Sequence, residues 1–104
     1  MMLGIVIEYE YSGDEAAWQS AVDTFMGHID ADERLKNKLS YQVNVSGDGS
    51  RRIHIGNWDT EETLKYMQSQ PYFGEFAGKV KEFSGGGPTA TGFKRLGKTV
   101  SVVG

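Results

Sequence analysis

The chain has no cysteine, which excludes disulfides, thiolate metal ligands and Cys nucleophiles together and leaves the redox compartment open. Histidine is nearly as scarce. His28 and His54 are the only two, and a metal site needs three or four convergent ligands, so no metal is expected. Apolar runs long enough to cross a membrane are missing, so no membrane association is expected. Basic charge is sparse: 11 Lys+Arg stand against 14 Asp+Glu, the net charge is -3, and no cluster exceeds Arg51-Arg52 and Lys94-Arg95. Nucleic acid, which needs a phosphate-facing basic patch, is therefore not an expected partner. The opening residues Met1-Met2-Leu3-Gly4-Ile5 lack the charged and long apolar regions of a signal peptide, which makes the cytoplasm the expected location.

Glycine is plentiful, with 14 residues, yet no phosphate-cradling motif follows a strand. Gly85-Gly86-Gly87 comes after a helical pattern and before a strand, the wrong order for an anion-binding helix N-terminus, and reads as a linker. No G-x-S-x-G elbow occurs, so hydrolase chemistry has no support. With 104 residues, 38% of them hydrophobic, the chain has material for one core, and residues 1–104 read as a single domain.

Period-2 and helical patterns alternate along it. Leu3, Ile5, Ile7, Tyr9 and Tyr11 alternate with Val6, Glu8 and Glu10 in a first half-buried strand. Ser12-Gly13-Asp14-Glu15 has capping-box spacing, and Trp18, Ala21, Val22, Phe25, Met26 and Ile29 then make one helical stripe. Asp30 to Lys38 is charged, without a strong period. Leu39, Tyr41, Val43 and Val45 form the apolar side of a second strand, Gly47-Asp48-Gly49-Ser50 has turn chemistry, and Arg51 to Trp58 is a third strand with Ile53 and Ile55 placed inward. A second helix begins near Asp59 and meets Gln70-Pro71 as a kink or restart, after which Phe73, Phe76, Ala77, Val80 and Phe83 continue the stripe. Thr89 to Leu96 and Thr99 to Val103 are β-prone.

The order βαβ, βαβ with a central hairpin is the α+β, ferredoxin-like plan: a four-stranded antiparallel sheet, spatial order four, one, three, two, with the helices on one face. Strand parity then sends Val6, Glu8, Glu10, Gln42, Asn44, Arg52 and His54 to the helix-free face, with Leu96 and Trp58 near its ends. There His54 beside Glu8 or Glu10 reads either as a cross-strand charged pair or as a catalytic base. His28 suits a helix C-terminus. Tyr9, Tyr11, Asn57-Trp58, Tyr72, Phe73 and Phe76 are expected at one end of the sheet. They read either as ordinary core or as walls of a cavity for a flat organic ligand.

The run Ile55-Gly56-Asn57-Trp58-Asp59-Thr60-Glu61-Glu62, followed by Tyr66-Met67-Gln68-Ser69-Gln70-Pro71-Tyr72-Phe73 and Phe76-Ala77, resembles the antibiotic-biosynthesis monooxygenase (ABM) superfamily. The resemblance implies a dimeric α+β barrel, in which two ferredoxin-like subunits pack sheet against sheet as a homodimer. It also implies a small organic substrate and, for the anthrone-oxygenase branch, no cofactor. Relatives of that branch use Asn, Trp and Tyr around the pocket, for which Asn57, Trp58 and Tyr72 are the counterparts. Haem-degrading relatives carry a second Trp and a His where Met67 and Ala77 stand here.

The resemblance thus implies a cofactor-independent monooxygenase of a small aromatic or quinol-like molecule. Asn57 and Trp58 would orient the substrate and Tyr72 would hydrogen bond its reactive oxygen, with Tyr9, Tyr11, Phe76 and His54 as substrate-binding residues. The alternatives are a non-catalytic small-molecule-binding or structural dimer, and a metal-free isomerase using His54 or Glu10 for proton transfer. The Thr99–Val103 tail is expected to add an edge strand, either within its own subunit or across the dimer.

Overall fold

The computed structural model describes residues 2–101 and 103. Its elements are β1 (Gly4–Glu10), α1 (Glu15–Ala31), β2 (Leu39–Val45), β3 (Arg51–Trp58), α2 (Glu61–Gln68), α3 (Pro71–Phe83) and β4 (Thr89–Phe93). All neighbouring strands pair antiparallel, in the order β2-β3-β1-β4, and the helices cover one face of the sheet, which is the expected α+β ferredoxin-like plan. Trp18, Val22, Phe25 and Ile29 of α1, Met67 of α2 and Phe76 and Val80 of α3 form the core against the sheet, with Phe25 and Phe76 stacked at 4.0 Å.

Local chemistry sets the helix boundaries. Asp14, not Ser12, caps α1: its carboxylate accepts from the backbone N–H groups of Ala16 at 2.9 Å and Ala17 at 3.4 Å. Thr60 caps α2 by accepting from the Thr63 N–H, while Asp59 braces both residues from outside. Pro71 ends the ambiguity at Gln70 by restarting the chain as the first residue of α3, where its missing N–H costs no hydrogen bond. The charged stretch after α1 is a turn anchored by Leu35, only 1% exposed. Beyond Phe93 the chain leaves the sheet, so β4 is shorter than the expected Thr89–Leu96, and Leu96 is fully exposed. The described residues of Thr99–Val103 form no strand; Val102 lies outside the described residues.

The largest departure from expectation is in β3. Directly opposed residues of an antiparallel sheet share a face. His54 lies opposite Ile7 and Val43, Arg52 opposite Tyr9, and Gly56 opposite Ile5 and Tyr41. Arg52, His54, Gly56 and Trp58 therefore face the helices and are buried, while Ile53 and Ile55 share the helix-free face with Val6, Gln42 and Asn44. The expected pairing of His54 with Glu8 or Glu10 does not form. Glu8 is opposite Ile53 and reaches Arg51 instead, at 3.5 Å. The set containing Trp58 goes inward because its bulk fills the core and because neighbouring side chains hydrogen bond both ring nitrogens of His54 and pair the Arg52 guanidinium with Glu15.

Candidate functional site

A cavity of about 310 Å³ lies between the sheet and the helices, at the end of the sheet where β3 finishes. Ile5, Ile7, Leu39 and Tyr41 form its floor, Trp58 closes one side, and Phe25, Leu64, Met67, Phe73 and Phe76 form the helical wall. The volume is at the lower end of small-molecule sites and the lining is overwhelmingly apolar. Gly56 shapes the floor. A Cβ there would lie 3.3 Å from the Tyr41 ring, so glycine is what lets that ring settle across β3.

Tyr41 is also where the polar chemistry begins. Its hydroxyl is 2.8 Å from His54 Nδ1, His54 Nε2 is 2.8 Å from the Tyr9 hydroxyl, and the Trp18 indole N–H donates to that same hydroxyl at 2.8 Å. The chain of contacts runs from α1 through β1 and β3 to β2, entirely on the helix-facing side. His54 is fully buried, and burial pushes its imidazole down to about 4, so the ring is neutral at pH 7. Burial likewise holds the Tyr41 phenol far above its ordinary range, and it stays protonated. For Tyr9 burial raises the pKa, against the lowering effects of the Trp18 hydrogen bond and the Arg52 charge.

Arg52 completes this end of the site. It is 1% exposed, its guanidinium lies 4.5 Å from the Trp18 ring and 5.3 Å from the Tyr11 ring, and it pairs with Glu15 at the start of α1. Tyr11 is consumed here, its ring edge-on to Phe83 and its hydroxyl donating to the Asp14 carbonyl.

The residues singled out from the sequence are thus divided. Because β1 and β3 run antiparallel, their C-terminal ends lie at opposite ends of the sheet, so Tyr9 and Tyr11 are not beside Trp58. Trp58 and Phe76 line the cavity, with the Trp58 indole N–H donating to the Met2 carbonyl at 3.0 Å. Asn57 faces away from the helices, opposite Gly4 and Ser40. Tyr72 sits in the outer groove between α1 and α3, stacked on His28 at 5.1 Å, and its hydroxyl donates to Asp32 at 2.8 Å, beside a second donor from Tyr66. His54 does not line the cavity but meets two residues that do, Tyr41 by its hydrogen bond and Phe76 with ring centroids 5.7 Å apart, and Glu10 is exposed at the far end of the helix-free face. Among the described residues no three His, Asp or Glu side chains converge with metal-ligand spacing, and no helix is long and apolar enough to cross a membrane.

No family model matches the sequence, and no curated protein matches it by sequence. Solved structures do match its shape. Rv0793 from Mycobacterium tuberculosis superimposes with a TM-score of 0.76 at 15% identity, over 94% of this chain and 98% of that one. SnoaB, a cofactor-independent oxygenase from Streptomyces nogalater, superimposes with a TM-score of 0.74 at 13% identity, over 95% of this chain and 97% of that one. A Caulobacter crescentus protein assigned to the antibiotic biosynthesis monooxygenases gives a TM-score of 0.75 at 16% identity, over 92% of this chain and 91% of that one. The chain shares the fold of these three structures.

On this fold the hydrogen-bonded residues Trp18, Tyr41 and Arg52 are the ones that sequence patterning passes over. Trp18, in a helical stripe, and Tyr41, in a period-2 strand, carry the same signal as any core aromatic. Arg52 and His54 are polar residues in a strand with two isoleucines, and periodicity alone directs them outward. The available signal was Gly56-Asn57-Trp58: a Trp in phase with His54 and Arg52 argues that all three share the buried face.

Proposed function

We propose that this protein is a cofactor-independent, ABM-like monooxygenase of a small electron-rich aromatic such as a hydroquinone or anthrone, working as a homodimer in the cytoplasm. The observation that carries this reading is the apolar cavity whose floor holds Tyr41, a phenol kept protonated by burial and braced by a neutral histidine. The likeness in fold to SnoaB supports it.

The chemistry follows from the setting. A phenolic or enolisable substrate that gives its proton to water in solution and binds as the phenolate or enolate has the electron density to reduce O2 itself. For an anthrone, one methylene and one O2 become one carbonyl and one water. The protein's contribution is to exclude water, hold the ring flat between Trp58 and Phe76 and place a donor on the developing oxyanion. In this proposal Tyr41 takes the hydrogen-bonding role expected of Tyr72, whose hydroxyl is engaged by Asp32. Asn57 has no part in the cavity, and His54 acts through Tyr41 rather than on the substrate. An isomerase would require a proton carrier facing the cavity, and neither His54 nor Glu10 is one.

The homodimer is supported by the helix-free face, where Val6, Ile53 and Ile55 form a half-buried apolar strip between Gln42, Asn44 and Glu8. Oxygen uptake with a panel of hydroquinones and anthrones tests the activity. Uptake that drops about tenfold or more in Tyr41→Phe is expected; ligand-induced thermal stabilisation without any uptake would leave the non-catalytic binding protein as the correct reading.

A further inference from the structure

The hydrogen-bond chain ending at the cavity can be counted. Trp18, Tyr9, Tyr41 and a neutral His54 bring one polar hydrogen each, four in all, to three contacts. One hydrogen is therefore left over, and the direction of the chain decides whose it is. The Trp18 indole can only donate, so the Tyr9 oxygen accepts at that contact. If Tyr9 donates to His54 Nε2, the imidazole hydrogen sits on Nδ1 and points to the Tyr41 oxygen, leaving the Tyr41 O–H free at the cavity. If the chain runs the other way, the spare hydrogen belongs to Tyr9. Tyr9 is 5% exposed and its hydroxyl has no other partner there, whereas Tyr41 lines the cavity, where a ligand can supply the acceptor that its hydroxyl lacks. A buried hydroxyl hydrogen without an acceptor is strongly disfavoured. Arg52, directly across the sheet from Tyr9, adds a positive charge that makes Tyr9 the better donor.

We propose that Trp18, Tyr9 and His54, with Arg52 beside Tyr9, are positioning residues that run this chain in one direction, so that Tyr41 offers a hydrogen to the cavity and the cavity selects ligands with an acceptor oxygen: a carbonyl, an enolate or a phenolate. This rests on the cavity being the ligand site, as in the reading above, and extends it by giving the site a polarity. An indole of equal size, which presents only a donor, finds at Tyr41 an oxygen already engaged by His54.

The tautomer is measurable without any ligand. Nitrogen-15 spectra of the His28→Gln protein, which leaves His54 as the only histidine, are expected to show hydrogen on Nδ1 at pH 7; hydrogen on Nε2 would overturn the proposal. Tyr9→Phe is expected to mix the two tautomers, and if that variant does not fold, the parent spectrum still decides. In titrations of the full chain, 1-indanone is expected to bind about tenfold more tightly than indole, a bicycle of the same size with a donor only, and Tyr41→Phe is expected to erase the difference. Equal binding, or tighter binding of indole, would sink the selectivity. If neither probe binds while His54 carries hydrogen on Nδ1, the selectivity falls together with the cavity as a ligand site. Oxygen uptake failing while 1-indanone still binds preferentially removes only the oxygenase reading.

Discussion

The two faces of β3 invert the usual order. On the helix side Arg52 and His54 are buried at 1% and 0% exposure, while Ile53 and Ile55 on the other side remain half-covered. A buried polar residue is tolerable when every polar atom finds a partner, and a half-exposed apolar strip is tolerable when something covers it. His54 meets the first condition through Tyr9 and Tyr41, whereas Arg52 meets it only in part, through Glu15 and two aromatic faces, with its Nε left unpartnered. The helix-free face meets the second only if another surface lies on it. In the proposed reading the two sides of one strand divide the labour, one organising a site and the other offering an interface.

Removing the buried imidazole breaks this contrast most directly. His54→Ala leaves a cavity and two unpaired phenols, and a loss of about 3–5 kcal/mol is expected in urea denaturation. Acid probes the same group without mutation. Its folded pKa of about 4 lies below the ordinary value of 6.5, so between those values the unfolded chain takes up the proton more readily. Stability should therefore fall as pH drops from 6.5 towards 4, by about 3 kcal/mol from this group, and be insensitive to it above pH 7. Denaturation of His54→Gln should show that slope flattened.

The opposite face should respond in assembly rather than in folding. Ile55→Lys is expected to change the stability of the dilute protein by less than about 1 kcal/mol, while light scattering reports a monomer in place of a dimer. A dimer that survives Ile55→Lys would separate the apolar strip from any interface. The smallest effects sharpen the difference between two tyrosines. Tyr41→Phe should cost about 1 kcal/mol of stability and about tenfold or more in oxygen uptake. Tyr72→Phe should cost no more in stability, because Tyr66 still donates to Asp32, and should leave uptake unchanged.

Much of the architecture was legible because it is written in short periods. The helical stripe of Trp18, Val22, Phe25 and Ile29, the turn at Gly47-Asp48-Gly49-Ser50 and the restart at Pro71 each depend on neighbours in the chain. The site was less legible. Placing Tyr9 and Tyr11 beside Trp58 overlooked that antiparallel strands finish at opposite ends, and expecting Asn57 at the cavity overlooked that it alternates with Trp58. Tyr72 is aromatic and one residue from Phe73, yet on a helix that single step turns it from the cavity to the outer groove.

Sequence by itself determined which residues of each strand keep company, which apolar stripes the helices bury, and that one α+β layer pair would form. Which of the two alternating sets of β3 turned inward was decided only in the tertiary structure. Alternation is symmetric between the two faces of a sheet, and that symmetry is broken by partners distant in the chain: a glycine that admits the Tyr41 ring, tyrosines from two other strands that satisfy His54, and an indole from α1 that aligns them.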